Sequence, residues 1–408
     1  MATESRFNWF SSTQLGAEQM TGIKNSEGQF LTVLDSVLIT GYNTQTVAST
    51  TNTATTVKLT YAAAHGYSLG QLVLVAGATD ANLNGRHRVV AKTELTVTID
   101  ATDVAVLTGT ITTKVAPLGW QSIFGATTPL KRAYRSLKST STKNVLFLDM
   151  SYPTGHGYNS TNPAKRAMVD VCENMTVMGT QINSYTSVYN NRPSIRNGKM
   201  FWYQCRDITK NTPVTAGEQR NWVIVGNDTC FFIFNDWRAP VNTVPQRDTY
   251  FFGDMLDLSG AASIRNCGWI GNINSNDTAD LYAATTGGYI GGDPNDSTAA
   301  KGLMMKQADG SGTVNPLTLS VDGLISLSSS GAQGELSNVP NASTQALVGL
   351  PVYSYTGQGL RAKIPSLHLI PQNMGARELD FDKQVFDNTL IVGVEANYNL
   401  GFLALDLG

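Results

Sequence analysis

Apolar and polar positions alternate with a period of two through much of the chain, a pattern that predicts half-buried β-strands. Thr55–Tyr61 puts Val57, Leu59 and Tyr61 on one face. Gln71–Ala76, Arg88–Val90, Leu95–Ile99 and Val104–Thr112 continue the pattern. Turn residues separate these runs at His65-Gly66 and at Asn84-Gly85. The second pair suits a tight hairpin, because both positions tolerate positive φ. Short strands spaced by about 8–12 residues predict a small barrel or sandwich over residues 44–116.

Before this module the period changes. Phe30, Leu31, Val33, Leu34, Val37, Leu38 and Ile39 recur at spacings near three and four, which predicts a short buried helix. Residues 1–43 therefore read as an N-terminal arm plus a helix, with Phe7, Trp9 and Phe10 needing something to pack on. Residues 117–270 read as the main β domain. Ala133–Ser136 and Val145–Asp149 are predicted strands, and Ala164–Met178 is read as a strand because Val169, Val171 and Val177 are β-branched. The clearest hairpin is Trp222–Val225, turn Gly226-Asn227-Asp228, then Cys230–Phe234. Both arms are apolar nearly throughout, so both faces of that sheet are expected to be covered. Thr249–Leu258 is expected to pair nearby. Asn, Asp, Gly, Ser and Thr dominate residues 271–347, a loop-rich polar insertion with short strands such as Leu317–Val321 and Leu324–Leu327. Residues 348–408 regain strand signals at Leu350–Tyr355, Leu360–Ile370 and Leu390–Val394, and are expected to fold back onto the main domain. The fold class is thus mainly β, with a small N-terminal module, a larger antiparallel domain and long loops.

Composition supports this picture. Charged residues make up 15% of the 408, well under the usual ~25%. Gly, Thr, Asn and Ser take their place and favour turns and strands over helices. A surface poor in charge also suits contact with neighbouring subunits. The net charge of −2 contains no basic stripe, so no direct grip on nucleic acid is expected. No run of about 20 apolar residues predicts a membrane span. Met1–Phe10 lacks a basic region followed by an apolar stretch, so no secretory signal is expected. Cys172, Cys205, Cys230 and Cys267 form no Cys-x-x-Cys pair and read as small buried residues.

Candidate chemistry is sparse. Gly66-Tyr67-Ser68-Leu69-Gly70 matches the nucleophile pattern of hydrolases, but that pattern acts at a strand-to-helix turn, and Gln71–Val75 reads as strand. His65, His87, His156 and His368 form no His-x-His or His-x-x-x-His pair. The oxygen-rich stretches Asn274–Asp277 and Asp293–Asp296 resemble calcium ligands in type, yet they do not fit a calcium loop and read as turns. Asp254 and Asp257 are a carboxylate pair without a placed groove. No catalytic, cofactor or metal residue is assigned, and no cofactor is expected.

Several segments, in order along some 330 residues, resemble a family of virion structural proteins of tailed bacteriophages. They are Phe30–Gly41, Ala64–Tyr67, Val75–Thr79, Leu83-Asn84-Gly85, Gly119-Trp120 with Ile123-Phe124, Ala133–Ser136, Glu173–Thr176, Arg220–Gly226, Tyr250–Asp254 and Leu360–Pro365. Ala362 and Ser366 depart from the pattern, standing where glycines are expected. The resemblance implies a structural place in the particle, at head, neck or tail, and no catalytic residues.

The resulting expectation is a non-enzymatic, homo-oligomeric virion component, assembled in the host cytoplasm and packing against other virion proteins. The alternative is a receptor-binding protein that recognises host-surface carbohydrate; a glycan-degrading tail enzyme is the third reading. Phe7, Trp9, Phe10, Trp202, Tyr203 and Trp237 are the candidate contact residues, since aromatics serve both protein interfaces and sugar stacking.

Overall fold

In the computed structural model of the chain, the described residues are 6–21, 28–125, 129–151, 165–184, 200–205, 219–236, 247–257, 267–270, 272–273, 303–307, 315–319, 325–329, 332–335, 350–356, 359–370, 383–386, 389–396 and 399–407. Nearly all regular structure among them is antiparallel sheet, as the period-two pattern predicts.

The helix lies where the period shifts. Gln29–Asp35 is α-helical and Ser36–Thr40 widens into a π-helical turn. Gly41 ends it at φ 70, and a Cβ there would lie 2.3 Å from the Val115 carbonyl, so only glycine fits. Val37 and Leu38 carbonyls accept the Leu118 and Gly119 amides (2.9 and 3.1 Å), which settles the freed end of the helix. Asp35 ties the helix to the sheet behind it, accepting from Arg132 Nε (2.9 Å) and the Tyr134 hydroxyl (2.8 Å).

The small module is a seven-stranded curled sheet. Its spatial order is Tyr42–Thr46, Gly109–Val115, Leu72–Ala78, Gly85–Lys92, Thr96–Ile99, Val57–Thr60 and Ser49–Asn52. The two edge strands are consecutive in sequence. Val47 donates to the Ile111 carbonyl (3.0 Å) and Ala48 to the Thr60 carbonyl (2.8 Å), so the connection bridges both edges. The expected two-residue turn at Asn84-Gly85 is corrected: residues 79–84 form a longer connection. Asn84 instead closes it by side chain, accepting from Ala78 N (3.0 Å) and donating to Ala78 O (2.7 Å). Asn and Gly do mark the turn, but the amide side chain rather than positive φ at Asn84 organises it.

The main body holds two further sheets. In one, Asn8–Ser11, Trp222–Gly226, Cys230–Asp236, Arg247–Asp254 and Cys267–Ile270 are neighbours, followed by Leu303–Gln307, Asn315–Leu319, Ile325–Ser329 and Ala332–Glu335. The last four are the short strands of the polar stretch. In the other, Trp120–Ser122, Lys131–Ser136, Val145–Asp149, Lys165–Val177 and Met200–Cys205 lie side by side, with Thr180–Ser184 pairing Lys165–Val177. The strand reading of Ala164–Met178 holds, with Phe147 opposite Asp170. The C-terminal segment forms its own sheet from Leu350–Thr356, Gly359–Ile370, Lys383–Phe386, Thr389–Ala396 and Asn399–Asp406, joined by Leu256–Asp257.

One continuous hydrophobic cluster unites the helix, the curled sheet and the two sheets of the main body. It includes Phe30 and Leu34 of the helix, Val73 and Val97 of the curled sheet, Leu146 and Val169 of one large sheet, and Trp222, Phe231 and Tyr250 of the other. The opposite face of the Trp222–Asp236 hairpin is equally dry: Val223, Val225, Phe232 and Phe234 have no exposed surface. Both faces are covered, as an unbroken apolar run requires.

Candidate functional site

The aromatic contact candidates are mostly core. Asn8–Ser11 is a strand paired with Trp222–Gly226, Phe10 facing Ile224. Phe7, Trp9 and Phe10 are buried within their own chain. The expectation of an exposed aromatic arm is thereby corrected for these three residues: the surface they needed is supplied by the same chain. Trp202 is also fully buried, stacked on Tyr250 (5.4 Å, 22°) and edge-on to Phe30 and Phe231. An indole so enclosed offers no face to a sugar. Tyr203 lies in the strand Met200–Cys205, its side chain outside the described residues, as is all of Trp237. The stretches around His156, Asn274–Asp277 and Asp293–Asp296 also fall outside them.

The chemically suggestive residues are held by backbone. Ser68 lies in a loop between Gly66 and Gly70, both at positive φ, and the strand Leu72–Ala78 follows rather than a helix. Its amide donates to Gln71 Oε1 (3.2 Å). His65 accepts the Tyr67 amide at Nδ1 (2.9 Å) and donates from Nε2 to the Thr93 carbonyl (2.9 Å). Its ring stacks on Tyr67 (5.4 Å) and lies 5.2 Å from Tyr61. Burial lowers its pKa, against the pull of the Thr93 carbonyl. His87 lies between the Leu83 and Asp100 carbonyls (3.0 and 3.2 Å). Asp254 accepts from the Thr142 amide and hydroxyl, and burial raises its pKa despite them. Cys172, Cys230 and Cys267 are buried thiols whose pKa burial raises, the state of inert core cysteines. Among the described residues, no three His, Cys, Asp or Glu side chains converge on one point, and no helix is long and apolar enough to cross a membrane.

A buried polar junction that sequence reading missed lies where the N-terminal strand, the curled sheet and the C-terminal segment meet. The Asn8 side chain acts like a piece of strand: it donates to the Leu72 and Ala116 carbonyls (3.2 and 2.8 Å) and accepts the Leu72 amide (2.7 Å). Gln71 Nε2 donates to the Trp9 carbonyl (3.2 Å) and Trp9 Nε1 to the Leu69 carbonyl (3.2 Å). The Arg88 guanidinium donates to the carbonyls of Gly70 (2.7 Å), Phe7 (3.3 Å) and Leu407. Burial lowers the Arg88 pKa to about 10, so the side chain stays charged at neutral pH. No sequence pattern announces this junction. The acceptors of Arg88 are main-chain carbonyls at positions 7, 70 and 407, and a carbonyl has no residue signature.

No protein-family model matches the chain, and no curated protein is significantly similar to it.

Proposed function

We propose that this chain is a non-enzymatic structural component of a tailed-phage particle, acting by repeated packing against copies of itself and other virion proteins. The observation that carries the proposal is the engagement of its candidate reactive groups by its own backbone. His65, His87 and Arg88 each meet main-chain partners on more than one side, and Ser68 precedes a strand. Such groups build a scaffold. The resemblance of ordered segments to a virion-protein family and the charge-poor composition support the same reading. Strands such as Ser49–Asn52 present Ser, Thr and Asn outward rather than Lys or Glu, which lowers the desolvation cost of lattice contacts.

The test is immunogold microscopy and quantitative mass spectrometry of density-banded particles from the phage encoding the chain. Label at a fixed position, at a fixed copy number per particle, supports the proposal. Presence in the lysate with absence from banded particles overturns it. Treatment with a fluorophosphonate probe tests the non-enzymatic part: labelling abolished by Ser68→Ala would show a reactive serine and refute it.

A further inference from the structure

Three features meet at the first strand. Asn8–Ser11 ends its sheet, with Trp222–Gly226 as its one ladder partner among the described residues. Phe7 N donates to the Leu407 carbonyl (3.1 Å), so the beginning and the end of the described chain touch directly. Arg88 then bonds both of these residues and Gly70 at once. Its residue exposure is 3%, and among the described residues it forms no ion pair and its Nε finds no acceptor. Asp100, which accepts the Arg88 amide and pairs with Arg6, ties the same corner from the other side. Asp100 and Asp406 favour the Arg88 charge only through space, and a buried cation whose direct hydrogen bonds all go to carbonyls recovers less of its lost hydration than one in a hydrogen-bonded ion pair. Such a contact specifies an arrangement more than it stabilises one. What it keeps closed is apolar: Trp9 and Phe10 lie in the strand it clamps and Phe7 immediately precedes it, all three buried.

We propose that Arg88 is a latch that joins the N-terminal strand and the segment 399–407 into one cooperative unit, with the aromatic N-terminal strand sequestered only while the Leu407 carbonyl is docked. Phe7 and Leu407 share the same donor, so release of either end removes an acceptor from the guanidinium and weakens its hold on the other. The device is independent of whether the chain belongs to a particle.

Hydrogen exchange by mass spectrometry on the full-length protein tests it, using Arg88→Met, which keeps the stem and loses the donors, and Leu407→Ala, which weakens C-terminal docking. The expected result is that segments 6–11 and 399–407 lose protection together, by about tenfold or more in either variant, while 145–149 keeps its protection. Loss confined to 85–92 in Arg88→Met, or equal loss in 6–11, 399–407 and 145–149, overturns the latch. Should Arg88→Met not accumulate as folded protein, Leu407→Ala carries the same readout: faster exchange at 399–407 with unchanged exchange at 6–11 refutes the coupling.

Discussion

Phe232→Ala probes the dry outer face of the central hairpin. Phe232 is fully buried, opposite Phe251 in the ladder with ring centroids 4.8 Å apart, and 6.5 Å from Phe234. Truncation removes a ring worth about 2–3 kcal/mol in transfer from water. The remaining void adds roughly 24 cal/mol per Å³, about 1–2 kcal/mol for partial collapse of a ring-sized hole. Loss of the Phe232–Phe251 pair contributes within that sum, at about 0.5–1.5 kcal/mol. The expected destabilisation is about 3–5 kcal/mol, read from urea unfolding followed by both circular dichroism and tryptophan fluorescence. A cycle with Phe251→Ala should show coupling of about 1 kcal/mol. Val177→Ala, at a residue 58% exposed, is the control and should change stability by less than about 0.5 kcal/mol. A Phe232→Ala effect below about 1 kcal/mol would refute the two-faced burial on which the whole hairpin argument rests.

Further outcomes follow from single residues. His65 is held neutral by burial, so the unfolded chain takes up a proton below pH 6.5 while the folded chain resists it. Stability should therefore be fully present above pH 6.5 and fall as pH drops below it, and His65→Gln should flatten the slope of Tm between pH 7.5 and 5. Gly253 and Gly85 both have positive φ, but a Cβ at Gly253 would lie 2.3 Å from the Thr229 carbonyl, whereas one at Gly85 meets nothing within 4 Å. Thermal melts should show Gly85→Ala costing about 1 kcal/mol and Gly253→Ala clearly more; equal losses would contradict the packing. Ser366 occupies the left-handed region at φ 58, so Ser366→Gly should relieve up to about 1 kcal/mol in chemical denaturation and Ser366→Val should be destabilising.

The departure at Ser366 shows how local features are written in sequence. A glycine is expected there, and the backbone does take the conformation that glycine favours, at a bulge where the strand Gly359–Ile370 changes register against Leu350–Thr356. Strand identity was equally legible, because alternation and β-branching act on neighbours a few residues apart: Val145–Asp149 and the Trp222–Phe234 hairpin lie where the pattern puts them. The same holds for the helix that begins at Gln29, its turn spacing being local too. What lay outside the sequence was partnership across distance. Phe7, Trp9 and Phe10 are three apolar residues within four positions whether they cover a neighbouring subunit or their own chain, and only the pairing of Asn8–Ser11 with Trp222–Gly226 decides for the latter. Trp202 reads alike as sugar platform or core until its rings of contact are known. Arg88 and Asn8 look like ordinary strand residues, because the groups they bind are carbonyls and amides that every residue carries. By itself the sequence determined most of the strands and that both faces of the central hairpin must be covered. Tertiary structure decided which segment covers which, since burial and long-range hydrogen bonding depend on the folded path and not on the identity of neighbours in the chain.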